Sequence, residues 1–214
     1  MKRYFKNKKL LEKNNVYSKD MEHDACGVGL VASTEGKKSR KVVEYGIQAL
    51  KAVWHRGAVD ADGKTGDGAG IHVEISKEFF KEKIEVTGHT YDNSEICIGM
   101  IFLPRNDYEA QENCRTLVEK ELTQNNFSIY GWRQVPVNTK VLGEKAEQTR
   151  PEITQVLFRY NDQKLSGKAL EIKLYETRRK IENNVRQNHL DNFYICSFSS
   201  KSIIYKGMFL AEAL

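Results

Sequence analysis

His23-Asp24-Ala25-Cys26-Gly27-Val28-Gly29 leads directly into an apolar segment, Leu30-Val31-Ala32. Val28, Leu30 and Ala32 alternate as the inward face of a strand does, which predicts a strand over 26–33 with a cysteine at its start. Residues 1–22 before it are polar and rich in lysine and asparagine, and are expected to form a flexible leader. Cleavage between Ala25 and Cys26 would leave one residue carrying both a thiol and a free amine. A thiol attacks an amide carbonyl only as thiolate, and an ordinary pKa near 8.5 leaves little of it at neutral pH. An α-amino group with a pKa near 8 is a suitable proton acceptor, directly or through one water. Nucleophile and base then sit on a single residue.

Downstream, helices and strands alternate without a strict βαβ rhythm. Ser39 caps a helix predicted to run to about residue 54, with Val43, Gly46, Leu50 and Val53 on one stripe. Residues 57–70 contain five glycines, too many for regular structure. Residues 71–75 alternate as a half-buried strand, and Ser76 opens a short helix carrying Phe79 and Phe80. A strand follows at 96–103, ended by Pro104. Asp107 then caps a helix through Leu122, with Ala110, Cys114, Leu117 and Val118 facing inward. Strands are predicted at 127–137, interrupted by Gly131, and at 153–160. A long helix over 166–187 carries Leu170, Leu174, Ile181 and Val185, and two short strands at 193–197 and 202–205 close on a turn at 199–201. A further helix is expected from Met208. Adjoining strands imply antiparallel pairs, so the fold class is α/β in the α+β layered sense.

Composition narrows the function classes. The chain has 214 residues, 40% of them hydrophobic, which is enough for one substantial core. Residues 1–25 hold seven basic and four acidic side chains, or +3 of the formal +5, so the remainder is close to neutral. A sequence pI of about 8.9 therefore marks no basic stripe for nucleic acid. No apolar run approaches the roughly 20 residues of a membrane span, and no apolar core follows the basic N-terminus as in a secretory signal. Cys26, Cys97, Cys114 and Cys196 are widely spaced and near no histidine cluster. They suggest neither a metal site nor a disulfide framework, and fit reduced thiols in the cytoplasm.

Each candidate residue has a structural alternative. Cys26 could be a small buried cysteine in a strand. Arg56 stands where the helix gives way to the glycine-rich loop, and its planar fork of donors suits a carboxylate. It could equally pack at a helix C-terminus, where the macrodipole favours a cation, and His55 reads best that way. Thr65-Gly66-Asp67-Gly68-Ala69-Gly70-Ile71 invites a dinucleotide reading, but a strand rather than a helix follows it and no P-loop lysine is present. Asp62 and Asp67 could line a polar pocket or serve as solvated turn residues.

The heptapeptide at 23–29, His55-Arg56-Gly57-Ala58, the 65–71 motif and Ser200-Lys201-Ser202-Ile203-Ile204-Tyr205-Lys206-Gly207-Met208 together resemble the opening of glutamate synthase large subunits, within their class II glutamine amidotransferase domain. The likeness covers most of the chain. It implies an N-terminal-nucleophile (Ntn) hydrolase fold, an αββα sandwich of antiparallel sheets between helices, incomplete in this chain. Residues 1–25 would be a propeptide, and 26–214 the N-terminal part of the amidotransferase domain. Cys26 would be the catalytic nucleophile and Arg56 the grip on the α-carboxylate of glutamine, with Gly57 and Asp67 as further substrate-binding residues and no metal. Glutamine would be hydrolysed to glutamate and ammonia, the ammonia passing to 2-oxoglutarate. The resemblance further implies FMN and an iron–sulfur cluster elsewhere in the full enzyme, with the rest of the large subunit and a small NADPH-oxidising flavoprotein as partners.

That family forms its oxyanion hole with an Asn-Gly pair, and this sequence contains no Asn-Gly dipeptide. An oxyanion donor is commonly worth about 10²–10³ in rate, so the isolated fragment is expected to be nearly inactive. Two other readings stay open at this level: an Ntn-type hydrolase of another amide, and a non-catalytic interaction or regulatory fragment.

Overall fold

The computed structural model describes residues 2–13, 27–53, 58–162 and 164–214. Its helices are α1 (Lys2–Lys13), α2 (Arg40–Ala52), α3 (Lys77–Val86), α4 (Tyr108–Gln124), α5 (Glu144–Thr149) and α6 (Gly167–Gln187). Its strands are β1 (Ala69–Glu74), β2 (Cys97–Leu103), β3 (Phe127–Gln134), β4 (Glu152–Tyr160), β5 (Tyr194–Ser199) and β6 (Ser202–Gly207). Short polar side chains start the helices as the sequence predicts. Ser39 accepts from Lys41 N at 3.2 Å, Ser76 from Phe79 N at 3.4 Å and Asp107 from Ala110 N at 2.9 Å. Each satisfies an amide that the helix itself leaves unpaired.

Four strands form one antiparallel sheet in the order β3-β4-β2-β5, and β1 pairs with β6 in a second antiparallel sheet. The central strand β2 shows why these layers stack. Cys97, Ile101 and Leu103 point to one core, while Ile98 and Met100 point to another, and all are essentially inaccessible. A strand buried on both faces must be covered on both. On one side α4 contributes Cys114, Val118 and Leu122, and α6 contributes Leu170, Leu174, Ile181 and Val185. On the other stand Ile75, Ile203 and the α3 residues Phe80 and Ile84. Each such side chain, once fully buried, contributes about 1.5–3 kcal/mol. Helix α2 packs beyond the second sheet, where a Cβ on Gly46 would stand 3.8 Å from Ile71 Cδ1. The succession is helix, sheet, sheet, helix, the layered α/β arrangement expected of an Ntn-hydrolase-like fold.

Two irregularities shape the larger sheet. The β3–β4 register shifts between Ile129 and Gly131, where Gly131 adopts φ +147°. Tyr130 faces the core between the sheets by ordinary alternation, and past the shift Trp132 packs with Phe127 and Ile129 under the helices. A second shift in the β2–β5 pair, between Met100 and Ile101, leaves Cys196 as the extra residue facing the inter-sheet core and returns Phe198 to the side of Ile195.

Three expectations are corrected. Residues 27–33 form no strand: Val28 and Leu30 are 93% and 92% exposed. Alternation supplies an apolar face, but a strand exists only when a neighbour completes its hydrogen-bond ladder, and no described strand pairs with this segment. Lys2–Lys13 is helical rather than flexible leader, because Lys, Arg, Leu and Glu are strong helix formers whatever their charge. From Met208 onward only the three-residue 3-10 turn Ala211–Ala213 appears, not a helix. Helix α5 carries no apolar stripe and was not predicted.

Candidate active site

Cys26, His55, Arg56 and Gly57 lie outside the described residues. What the structure gives is the frame on both sides of the arginine. Upstream, α2 ends at Ala52, with Val53 as its C-cap. Downstream, the glycine-rich loop from Ala58 to Gly68 returns the chain to β1.

That loop is a closed hairpin. Val59 and Gly66 form an isolated antiparallel bridge. Inside it, Asp60 N donates to Thr65 O at 2.9 Å, and Gly63 N to Asp60 O at 2.9 Å. Gly63 turns the chain with φ +67°, a conformation that L side chains rarely adopt. Asp62 locks the turn: Oδ1 accepts from Lys64 N at 2.9 Å and Thr65 N at 2.7 Å, and Oδ2 from the Thr65 hydroxyl at 2.5 Å. These bonds favour the ionised carboxylate, the Thr65 hydroxyl first, and hold the Asp62 pKa down to about 2. Asp60 is held low by Lys145, whose Nζ lies 2.8 Å from Oδ2, and the lysine is raised in return. Asp67 closes the hairpin's mouth. Its Oδ2 accepts from Ala58 N at 3.0 Å, and its own N donates to Ala58 O at 3.3 Å.

The glycines in this loop serve close approach. A Cβ on Gly66 would stand 3.0 Å from Leu210 Cδ2 and 3.1 Å from Phe209 O, and one on Gly70 2.7 Å from Tyr205 O. Backbone meets backbone here, so the Gly-x-Gly-x-Gly spacing needs no nucleotide to explain it. Gly143, which caps α5, is held still tighter: its Cβ would fall 2.1 Å from Asp62 Oδ2 and 2.2 Å from Thr65 Oγ1. Gly143 and Lys145 thus buttress the loop from about 80 residues away. No local signal in the sequence could have shown this, because the contact exists only after tertiary folding.

Cys97, Cys114 and Cys196 are free and buried. Burial pushes the Cys97 thiol far up, Cys114 up to about 11 and Cys196 upward as well. Among the described residues no three His, Cys, Asp or Glu side chains gather as a metal site, and no helix is long and apolar enough to cross a membrane. Two polar grooves of about 480 and 430 Å³ share Glu121 and Asn184 on α4 and α6. The four-stranded sheet separates them from the glycine-rich loop. Glu121 there is buried and satisfied by Asn184 Nδ2 at 2.6 Å.

The family model for class II glutamine amidotransferases matches residues 26–214. The chain is 55% identical over 200 residues to the large chain of an NADPH glutamate synthase from Azospirillum brasilense, covering 94% of this chain and 13% of that protein. It is 35% identical over 210 residues to a ferredoxin-dependent glutamate synthase from Pyropia yezoensis, covering 96% and 13%. A Synechocystis ferredoxin-dependent glutamate synthase is 37% identical over 188 residues, covering 87% and 12%. The chain thus spans 12 to 13% of the length of these relatives.

Proposed function

Because the chain belongs to the class II glutamine amidotransferase family, we propose that it is the glutamine-hydrolysing front of a glutamate synthase large chain, with Cys26 as its nucleophile. One observation carries the choice of cysteine. The family match begins at Cys26, whereas the other three thiols are buried, and burial raises their pKa values and so disfavours the thiolate.

In this reading residues 1–25 are removed and the freed α-amine of Cys26 takes the thiol proton. The sulfur attacks the side-chain carbonyl carbon of glutamine, the C–N bond breaks, and ammonia leaves with the proton that the amine returns. Water then attacks the thioester, its proton passing to the same amine, and glutamate departs with the thiol restored. Arg56, and with it Gly57, holds the substrate α-carboxylate. The oxyanion donors belong to chain beyond residue 214.

In the whole enzyme the ammonia meets 2-oxoglutarate at a site supplied by the rest of the large chain, which is also where we place FMN and the iron–sulfur cluster. The described cysteines lie singly in β2, α4 and β5 and form no ligand set for a cluster. The higher identity to the NADPH large chain than to the ferredoxin-dependent enzymes supports an NADPH-oxidising partner subunit, and a cytoplasmic location belongs to the same reading.

The test is made in the full-length polypeptide. Cys26→Ala is expected to abolish glutaminase turnover, and Arg56→Ala to raise the glutamine KM with a smaller effect on kcat. A diazo-ketone analogue of glutamine is expected to label Cys26 only once the leader is removed. Turnover retained by Cys26→Ala would end the proposal.

A further inference from the structure

We propose that the outer face of α4 and α6 carries a second small-molecule site, built around Glu121, for an acidic α-amino acid. Glu121 stands in the last turn of α4 and is 7% exposed. Its carboxylate meets only neutral donors among the described residues: Oε1 accepts from Asn184 Nδ2 at 2.6 Å and Oε2 from Asn125 Nδ2 at 3.4 Å. The neighbouring cations are engaged elsewhere. Arg178 and Arg179 pair with Glu182 and Arg115 with Glu112, while Lys180 and Lys173 donate to Asn125 Oδ1 at 2.7 and 3.4 Å.

Three effects make this an unfavourable place for a carboxylate. Burial strips its hydration, no counter-charge replaces it, and the negative end of the helix dipole lies in the same turn. Two amides fill only part of an acceptor capacity of about four bonds. What the group lacks is a cationic donor. Glu121 lines both polar grooves, of about 480 and 430 Å³, so a ligand entering either one reaches it. Small-molecule sites commonly occupy about 300–1,000 Å³.

The rims specify the rest of the ligand. Lys120 lines the larger groove and Lys180 the smaller, and both side chains are exposed. Those lysines would repel a polyamine, and the carboxylate would repel a phosphate. One ammonium with two carboxylates complements one glutamate and two lysines charge for charge. Leu117 and Leu190 offer apolar surface to the methylenes of such a ligand. On the functional reading above, glutamate is the product and belongs to this class, so the site would sense product on the far side of the sheet from the glycine-rich loop. Binding itself does not depend on that reading.

Equilibrium dialysis with radiolabelled L-glutamate, on the full-length polypeptide, compares wild type with Glu121→Gln, which keeps the shape and an acceptor for Asn184 but removes the charge. Loss of one bound L-glutamate, or weakening of that one by at least about tenfold, is expected. Lys120→Glu/Lys180→Glu changes only exposed side chains, should weaken L-glutamate at the same site, and should admit spermidine that wild type refuses. If Glu121→Gln does not fold, this surface pair carries the test. L-glutamate bound with the same stoichiometry and affinity by wild type and by these variants would overturn the proposal and leave Glu121 a structural residue. Cys26→Ala bears on the glutaminase reading alone and should leave this binding unchanged.

Discussion

Gly143→Ala puts a methyl group where the glycine-rich loop leaves no room. Its Cβ would stand 2.1 Å from Asp62 Oδ2, 2.2 Å from Thr65 Oγ1 and 2.6 Å from Thr65 N, against ordinary carbon contacts of about 3.5–4 Å. Relief therefore requires a shift of more than about 1 Å. The Asp62 carboxylate cannot swing aside without leaving the Lys64 and Thr65 amides, and Thr65 N is backbone. Overpacking of this kind costs about 1–3 kcal/mol. In a chain of this length that lowers the thermal midpoint by about 2–4 °C per kcal/mol, so a fall of about 2–12 °C is expected by calorimetry. Amide exchange at Lys64 and Thr65 should accelerate together. Gly46→Ala is the matched control, because it sits in α2 with only Ile71 Cδ1 at 3.8 Å. It should stabilise by about 0.5–1 kcal/mol through helix propensity alone. A Gly143→Ala chain melting within about 1 °C of wild type, with the Thr65 amide still protected, would refute the reasoning.

Phe158 is inaccessible, with its ring 5.3 Å from Phe127 and 4.9 Å from Phe198. Phe158→Ala should cost about 3–5 kcal/mol, read as a lower urea midpoint with an unchanged m-value. The carboxyls of Asp62, Asp92 and Glu147 are all held below their ordinary values by hydrogen bonds and cations. Between about pH 4.5 and 2 the unfolded chain binds protons that the folded chain refuses, so stability should fall as pH drops through that window. Asp62→Asn should flatten the acid limb between 3.8 and about 2, and identical acid limbs in the two chains would count against the Asp62 turn. In the folded chain Cys97, Cys114 and Cys196 should resist a maleimide near neutral pH and react on adding denaturant. Rapid labelling of Cys97 in the native chain would contradict its burial.

The element order of the body was legible because its signals are local. Asp107 and the stripe through Cys114 and Val118 fix α4, and Leu170, Leu174, Ile181 and Val185 define the buried face of α6. Alternation at 71–75 announced a half-buried strand and the apolar run at 96–103 announced another, whose cover on both faces only the structure showed. Period and capping are properties of a few neighbouring residues, so they survive without knowledge of the fold. The same local logic failed at 27–33, where the alternation is real but pairing depends on a distant neighbour.

The chemistry divides in the same way. A cysteine following a lysine-rich N-terminal stretch, and an arginine beside a glycine-rich loop, could be named from their positions along the chain. That Asp67 holds Ala58, that Gly143 seals the Asp62–Thr65 turn, and that Gly66 and Gly70 are small because Phe209 and Tyr205 press on them were decided by the tertiary structure alone. Covalent order determines which groups a chain carries. Which atoms come within 3 Å of one another depends on packing between segments as much as 140 residues apart, and a one-dimensional pattern holds no record of that distance.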